Sequence, residues 1–411
     1  MTPGILGRSR RPVFSAWRGR SSPLIPDRWR AVILVSAAVA VGGVGWSGHV
    51  LALPLATLFP ALWAGCPNRA TAVAVSAGYV LAASRGLPQG VAAFFGASVW
   101  VGILLWATAS LAFVGVHAAL WIQQQGAVRA TRYAVALALM AVPPLGITGW
   151  AHPLTAAGVL FPGWGWWGLA ATMAGLLAMT TRAWQLTALA MLGAWTLSAA
   201  SWTSPAPPDR WQGIDTTMSA ALGRGNDLDQ HRRLIGMVAD RAAAGFEVVV
   251  LPESALGALT PTVARLWTEA IAELNVTVIA GAIVIDARGY DNVMVELGKA
   301  GAAIRYRARM PVPISMWQPW RIWSGASGGA RASFFANPVA EIRGRRVASL
   351  ICYEQLLLWP ILQSALYQPE AIVAIGNGWW ATGTAIPLIQ HANVEAWAKL
   401  FGLSLVTATN R

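Results

Sequence analysis

The chain has 411 residues, of which 56% are hydrophobic and 11% are charged, whereas about 25% of the residues of a typical soluble domain are charged. Charges are sparse between residues 31 and 203 and ordinary from 204 to 411, which argues against one very apolar soluble protein. The net charge of +13 is almost all arginine, and these arginines are scattered or flank apolar runs. We therefore expect no direct nucleic-acid binding.

Residues 1–30 are polar and basic, and they are predicted to form a cytoplasmic tail. A signal peptide is the alternative, but the apolar run that follows is the first of a series and no small-residue cleavage site stands out. Residues 31–203 predict a transmembrane helical domain, because about 20 apolar residues are needed for each crossing of the hydrocarbon core. We expect about seven spans, at residues 31–48, 49–65, 70–85, 91–122, 133–150, 158–178 and 183–201.

The arginine pattern predicts how these spans are oriented. With the N-terminus inside and an odd number of crossings, most loop arginines fall on the cytoplasmic side, and Arg85 is the exception. The protein is then a multi-pass protein of the bacterial inner membrane, with residues 204–411 in the periplasm. The tryptophans at positions 164, 166 and 167 favour an aromatic belt at one interface, with a lipid-entry groove as the alternative.

Residues 203–213 are rich in proline and predict a linker, after which the hydrophobic period changes. Short β-branched runs alternate with amphipathic stretches, which predicts an α/β domain with buried strands. The predicted helices are 227–244, 261–274, 355–367 and 387–401, and the predicted strands are 248–251, 277–280, 292–297, 303–306, 346–352, 371–375 and 405–407.

Residues with catalytic potential follow three of these strands. Glu253 comes directly after four aliphatic residues, where desolvation raises the pKa of a carboxyl and suits it to act as a general base; a helix-capping role is the alternative. Cys352 lies between a strand and a predicted helix, where a helix N-terminus lowers the pKa of a thiol; a buried structural cysteine is the alternative. Cys66 lies between apolar spans, so a disulfide with Cys352 is not expected.

The third strand is followed by Asn377, Trp379 and Trp380, and then by His391 in a predicted helix. We expect the first three to line a substrate site and His391 to contribute to it, with a general base as one role. Histidine, cysteine and glutamate together could also indicate a metal. Because their spacing matches no metal motif, we expect neither a metal nor another cofactor.

Together these motifs resemble the nitrilase, or carbon–nitrogen hydrolase, superfamily. The matching segments are Leu-Pro-Glu-Ser at 251–254, Cys-Tyr-Glu at 352–354, Asn-Gly-Trp-Trp at 377–380, Gln-His at 390–391 and Thr-Asn at 409–410. The resemblance implies an αββα sandwich, a Glu-Lys-Cys triad and an orienting role for Glu354. A chain with apolar spans before such a domain looks most like the apolipoprotein N-acyltransferases, which act through a cysteine thioester.

The lysine of this triad has no counterpart. Alignment on Tyr306 and the Val-Pro pair that follows places Ala308 at the lysine position, between Arg307 and Arg309. An arginine could supply positive charge to an oxyanion but could not easily donate a proton. Either arginine could reach the site, the enzyme could be slow or altered, or the domain could be a binding module.

Segments 77–90 and 306–317 also resemble a family of conjugal-transfer proteins encoded on plasmids. This resemblance implies that other conjugation proteins are partners, together with a membrane lipid or an envelope or pilus component. Two hypotheses follow. The first is an amidase or N-acyltransferase that uses Cys352, and the second is a catalytically inactive assembly or maturation factor with the same fold.

Overall fold

The structure is a computed structural model that describes residues 26–218, 220, 222–223, 228–325 and 328–411. The predicted basic tail lies outside the described residues up to position 25. Residues 26–203 are helical, and residues 204–411 contain every strand of the described chain.

Helices fill the N-terminal half, and their ends follow from local sequence. Asn68 caps one helix by accepting a hydrogen bond from the backbone N–H of Thr71 at 2.8 Å. Two 3-10 segments, Leu145–Thr148 and Pro153–Ala156, lie in the connections. The helices are α1 (Asp27–Gly45), a 3-10 segment (Val50–Leu58) continuing into α2 (Phe59–Ala64), α3 (Arg69–Ala83), α4 (Leu87–Phe95), α5 (Val99–Leu120), α6 (Ala127–Ala141), α7 (Ala157–Leu160), α8 (Gly165–Ala178) and α9 (Trp184–Ala200).

The predicted spans differ from these helices where glycine or proline interrupts the chain. The predicted span 91–122 is divided, because Gly96 adopts a left-handed conformation (φ +59°) that ends α4. The predicted span 133–150 ends early, at Ala141, because two prolines follow. Hydrophobic runs in the sequence therefore overstate the length of several helices.

Only two helices in the described chain, α1 and α5, are long and apolar enough to cross a membrane. A third span is possible if α3 and α4, which meet at a bend of 56°, are taken together. The expectation of about seven spans is therefore not supported by helix length, since the segment at 50–64 and α8 are apolar but short.

The helical half has two distinct ends. Arginines gather at one of them, which we call the arginine end, where they donate hydrogen bonds to backbone and amide oxygens of neighbouring turns. These bonds join Arg30 to the carbonyl of Gly65 (2.9 Å), Arg69 to that of Trp121 (3.3 Å), Arg129 to that of Ala64 (2.8 Å) and Arg182 to the side chain of Gln125 (3.1 Å).

The other end packs against the strand-containing half. Gly158 of α7 lies so close to a helix of that half that an added Cβ would be 1.8 Å from the carbonyl oxygen of Ala396. Glu395, on the same helix, accepts hydrogen bonds from Trp202 (3.2 Å) and Ser204 (2.7 Å). One buried apolar cluster runs from α1 and α3 through to the strands, so the halves share a core.

Two sheets form the C-terminal half. The first has the order β1-β2-β3-β4-β5, with β1, β2 and β3 parallel and the last three antiparallel. The second has the order β6-β7-β8-β9, with the last three parallel. The strands are β1 (Trp211–Gly213), β2 (Val248–Val250), β3 (Thr277–Asp286), β4 (Gly289–Gly298), β5 (Gly301–Arg307), β6 (Ala340–Ile342), β7 (Arg345–Ile351), β8 (Ala371–Asn377) and β9 (Ser404–Asn410).

The two sheets pack face to face over a buried aliphatic core and carry helices on their outer faces. They approach closely at Gly213, where an added Cβ would lie 1.8 Å from the carbonyl oxygen of Thr407. This is the predicted αββα sandwich, and its fold is confirmed. Its helices are α10 (Leu228–Ala243), α11 (Pro261–Ile271), α12 (Leu358–Ala365) and α13 (Ile386–Phe401).

Two strands were not predicted. The segment Trp211–Gly213 lies within the predicted linker, and Ala340–Ile342 lies in a stretch without a predicted element. Each has only three residues, which is too short to show an alternating pattern.

Candidate active site

Cys352 lies at a sharp turn between β7 and a 3-10 helix. All residues from Val347 to Ile351 are buried, and Cys352 then adopts φ +49°, which is an uncommon conformation for a residue with a side chain. Gln390 donates a hydrogen bond to the carbonyl oxygen of Cys352 at 2.9 Å, and the same amide nitrogen lies 3.9 Å from Sγ. The predicted turn is present and holds the thiol in one place.

Glu253 meets this thiol from the other sheet. It is buried, and its carboxylate and the Cys352 thiol are hydrogen-bond partners. Asn292 donates from Nδ2 to Oε1 of Glu253 at 2.6 Å. The backbone at Glu253 can lie this close to β3 because residue 281 is glycine. A Cβ added there would lie 2.5 Å from the Cα of Glu253.

Burial controls the protonation of both groups. It raises the pKa of the Glu253 carboxyl, as the sequence predicts. It also raises the pKa of the Cys352 thiol well above its ordinary value, and the neighbouring Glu253 adds to this effect. The prediction that the helix N-terminus lowers the pKa of this thiol is therefore wrong, because desolvation outweighs the dipole of one short 3-10 turn. Cys352 is therefore a protonated thiol, and it lies beside the Glu253 carboxyl group that would accept its proton.

Glu354 joins the cysteine turn to the segment after β5. Its carboxylate accepts hydrogen bonds from the backbone N–H groups of Ile351 (2.8 Å), Arg309 (2.7 Å) and Met310 (3.1 Å), and from the hydroxyl of Tyr306 (2.8 Å). Burial raises the pKa of Glu354, and the charge of Arg309 opposes this rise. Glu354 therefore holds the turn and does not point into the cavity.

The two candidate arginines make their contacts elsewhere. Arg309 is fully buried and donates hydrogen bonds to Tyr306 (3.0 Å), Gln363 (3.0 Å) and Ser364 (3.0 Å). Arg307 forms an ion pair with Asp291. Within the described chain, neither guanidinium forms a hydrogen bond or ion pair with Glu253 or Cys352.

The remaining predicted site residues divide into two groups. The main chain of Asn377 hydrogen-bonds with Glu253 and Cys352, and both tryptophans line the same cavity. Trp379 stacks on Phe94 of α4 with ring centroids 6.1 Å apart. His391, by contrast, lies on the exposed face of α13, whereas Gln390 points inwards to the cysteine.

Cys352 and Glu253 lie at the polar end of a cavity of about 550 Å³. Residues of the sandwich form one wall, and apolar side chains from α4 and α5 form the other, among them Leu87, Val91, Phe94 and Leu105. A second cavity of about 90 Å³ also begins at Cys352 and extends towards Trp46 and Ile389. The thiol therefore lies where a long apolar space and a narrow one meet.

Sequence reasoning did not identify Asn292, Gln390 or Tyr290, which line or contact this site. Asn292 begins the predicted strand 292–297, in which Glu296 is the other polar residue, and its polarity is the signal that could have indicated it. Within the described residues no group of three or more His, Cys, Asp or Glu side chains is arranged to hold a metal ion.

The geometry is that of a cysteine-dependent hydrolase site in an αββα sandwich, and residues 81–399 match the carbon–nitrogen hydrolase family. The chain belongs to that family. It is 59% identical to the conjugal transfer protein TraB of Agrobacterium fabrum, with 98% of each chain covered. It is also 56% identical to a probable conjugal transfer protein TraB of Sinorhizobium fredii, covering 93% of this chain and 99% of that one.

Solved structures with a similar fold include an amidase of the nitrilase superfamily from Nesterenkonia. It has 12% identity and a TM-score of 0.37, over 49% of this chain and 75% of that chain. A carbon–nitrogen hydrolase from Helicobacter pylori has 15% identity and a TM-score of 0.33, over 48% of this chain and 72% of that chain.

Proposed function

We propose that the chain is an inner-membrane protein of plasmid conjugal transfer whose C-terminal half is a periplasmic amidase or N-acyltransferase. One observation carries the enzymatic part: Cys352 and Glu253 are hydrogen-bond partners at the end of a large cavity that candidate membrane helices help to form. The conjugal part rests on relatives of nearly full length that carry that name. Other conjugation proteins are therefore the expected partners.

The distribution of charge supports this orientation. The arginine end of the helical half is the end that the positive-inside rule assigns to the cytoplasm. The sandwich packs on the opposite end. Exposed tryptophans occur at both ends, as in an aromatic belt: Trp29 and Trp184 near the arginine end, and Trp100, Trp164 and Trp167 near the sandwich.

The number of crossings is part of the same proposal. Between the two ends the chain runs along α1, residues 50–64, α3, α5, α6, α8 and α9. The shorter of these segments cross with the help of their neighbours or of a thinner bilayer. This arrangement places the sandwich on the side opposite to the N-terminus.

The proposed reaction begins at the thiol. Sγ of Cys352 forms a bond with the carbonyl carbon of an amide or ester while its proton passes to Glu253. The carbon–nitrogen or carbon–oxygen bond then breaks, and the leaving group takes the proton from Glu253. Water or an amine next attacks the thioester, gives its proton to Glu253, and releases the acid or the new amide as the thiol is restored.

The apolar wall points to the substrate class. A cavity of about 550 Å³ with Val91, Phe94 and Leu105 on one side favours a hydrocarbon chain. Because α4 and α5 contribute this wall, a lipid can reach it from the bilayer. A lipid-linked amide or ester, or a lipid-modified envelope or pilus component, is therefore the proposed substrate.

The second candidate is a catalytically inactive assembly or maturation factor. It is favoured by Ala308, which stands where the resemblance places the triad lysine, and by the engagement of Arg307 and Arg309 elsewhere. Losing one oxyanion donor typically costs about 10²–10³ in rate. Such a loss leaves a slow enzyme or none.

The experiment that separates the two candidates uses Cys352→Ala in the full chain, with Cys66→Ala as the matched control. Both cysteines are free and buried, but Cys66 lies in the helical half and donates to the carbonyl of Leu62. If the protein is an enzyme, Cys352→Ala lowers plasmid transfer and removes acylation by a fatty-acyl ester, and Cys66→Ala does neither. Normal transfer by Cys352→Ala, with no acylation of the wild type, supports the assembly factor.

A further inference from the structure

The polar end of the large cavity contains a carboxyl group and other hydrogen-bond acceptors. Glu253, Tyr290 and Asn292 line it together with the thiol. In the described chain no lysine or arginine forms an ion pair with Glu253. A buried carboxylate without a partner cation is costly, so this end of the cavity favours a positively charged ligand.

Asn292 gives an independent indication. It is buried, at 4% exposure, and its Oδ1 has no hydrogen-bond partner among the residues that the structure describes. The orientation of the amide is fixed because Nδ2 donates to Oε1 of Glu253 at 2.6 Å, and a flip would set two acceptors against each other. Since buried polar atoms are nearly always satisfied, an unpaired acceptor on a cavity wall indicates a ligand that donates a hydrogen bond.

Ala308 explains why the described part of this wall supplies no such donor. It is 3% exposed and belongs to the same buried cluster as Cys352. Its backbone N–H donates to the carbonyl oxygen of Asn292 at 2.8 Å, so the position that the resemblance assigns to lysine lies beside Asn292 on the adjacent strand. A methyl group therefore stands where a lysine would carry an ammonium.

We propose that the ligand of this site carries a primary ammonium that binds Oδ1 of Asn292 and the carboxylate of Glu253, with its hydrocarbon part along α4 and α5. An ammonium has three N–H donors, and the hydroxyl of Tyr290 is the third acceptor on this wall. The inference rests on the proposed function, because it takes Cys352 as the nucleophile and names the substrate class.

Binding of the ammonium has a chemical consequence. Burial alone raises the pKa of Glu253, and an adjacent positive charge opposes that rise. The ionised carboxylate can then accept the thiol proton from Cys352. The amine-bearing ligand thus prepares the thiol for attack, and ligands without a cation leave the thiol at rest.

The test measures alkylation of Cys352 by iodoacetamide in the full chain purified in detergent. Sγ forms a bond with the methylene carbon, iodide leaves, and the thiol proton passes to Glu253. The probes are n-butylamine and, as the neutral match, 1-butanol, and mass spectrometry separates Cys352 from Cys66. We expect n-butylamine to raise the alkylation rate about tenfold, because its positive charge lowers the pKa of Glu253, and 1-butanol to leave the rate unchanged.

Variants make the test specific. Ala308→Lys places an ammonium at the site itself. Its Cys352 thiol is therefore alkylated fast without n-butylamine, and adding n-butylamine does not raise the rate further. Ala302→Lys, at an exposed position of β5, the strand that ends just before Ala308, keeps the amine response of the wild type. Asn292→Leu reduces the response to that of 1-butanol, which keeps the test available if Ala308→Lys does not fold. Arg224 lies outside the described residues, and Arg224→Ala must retain the response.

Equal alkylation rates of Cys352 with n-butylamine and with 1-butanol overturn the inference. So does the same amine response in Ala308→Lys as in Ala302→Lys. If n-butylamine raises the rate in Arg224→Ala but not in the wild type, the inference is also overturned, because Arg224 then supplies the positive charge in the wild type. The outcome is separable from the proposed function. Acylation of Cys352 without an amine response removes only the ammonium site, whereas an amine response without acylation by any donor removes only the enzymatic activity.

Discussion

Replacing Glu354 with glutamine tests whether the buried network behind the cysteine holds the sandwich together. The Glu354 carboxylate accepts four hydrogen bonds, three of them from backbone N–H groups. A glutamine oxygen can keep the bonds from Arg309 and Met310, but its NH₂ group then faces the N–H of Ile351. That replacement sets donor against donor in a buried site.

The expected cost follows from this geometry. Each orphaned buried donor costs about 1–3 kcal/mol, and removing one partner from a buried charged network costs about 3–5 kcal/mol. The guanidinium of Arg309, which is fully buried, loses the nearest anion of its network. We expect Glu354→Gln to destabilise the protein by about 3–5 kcal/mol, or roughly 6–20 °C in unfolding midpoint.

The assay is thermal unfolding of the full chain in detergent, followed by circular dichroism. Glu341→Gln, at an exposed position of β6, is the matched control and should stay within about 0.5 kcal/mol of wild type. The double variant Glu354→Gln, Arg309→Met should lose less stability than the sum of the two single variants, since it removes both charges. Equal losses for Glu354→Gln and Glu341→Gln, or strict additivity in the double variant, would refute the reasoning.

Four further predictions concern the support of the base, the base itself, an exposed carboxylate and the orientation. Gly281→Ala should cost about 1–3 kcal/mol and slow the acylation of Cys352, because the added Cβ lies 2.5 Å from the Cα of Glu253; Gly298→Ala, with nothing within 4 Å, should do neither. Burial raises the pKa of Glu253, so its ionisation favours the unfolded state. Relative to Glu253→Gln, the wild type should lose stability as the pH rises from 4.5, the ordinary pKa, through the raised pKa of the folded protein, and the difference should then stay constant. Arg210 and Arg343 lower the pKa of Glu247, so Glu247→Gln should be the less stable protein above pH 4.5 and lose that difference as the pH falls. Alkaline phosphatase fused after the last residue should be active and a cytoplasmic fluorescent reporter there dark, and the reverse result contradicts the periplasmic orientation.

The buried strands of the sandwich could be predicted because short runs of aliphatic residues are typical of buried strands. Both β3 and β4 continue well beyond the runs in the sequence, since hydrogen bonding along the hairpin extends pairing into polar residues such as Asp286 and Asp291. The ends of strands depend on partners that a single chain segment does not reveal. The order of the strands, with β1 beside β2 and β9 beside β8, depends on such partners as well.

The choice between Gln390 and His391 could not be made from the sequence. Adjacent residues on a helix point about 100° apart, so only the phase of α13 decides which side chain reaches the cysteine. That helix is buried on most of its surface because it lies between the second sheet and the helical half. Polar residues of α13 such as Asn393 and Glu395 are buried as well, so polarity along the helix does not indicate its phase.

The position of Arg309 could not be predicted for a related reason. The sequence left open whether an arginine beside the lysine position reaches the catalytic groups, but Tyr306, Gln363 and Ser364 provide acceptors for it inside the sandwich. These acceptors come from β5 and α12, which are far apart in sequence. A buried arginine is stable only where such acceptors converge, and convergence is a property of the folded chain.

The helical half forms part of the site as well as supporting the sandwich that contains the catalytic groups. At Gly90 of α4 an added Cβ would lie 2.6 Å from Cζ3 of Trp380, and at Gly86 it would lie 2.9 Å from the Cβ of Thr384. These glycines let α4 approach the segment after β8, so that Phe94 stacks on Trp379 and the apolar wall of the cavity closes. Without that approach, the cavity would open to solvent beside Cys352. The catalytic groups and the apolar wall therefore depend on one packed interface between the helices and the sandwich.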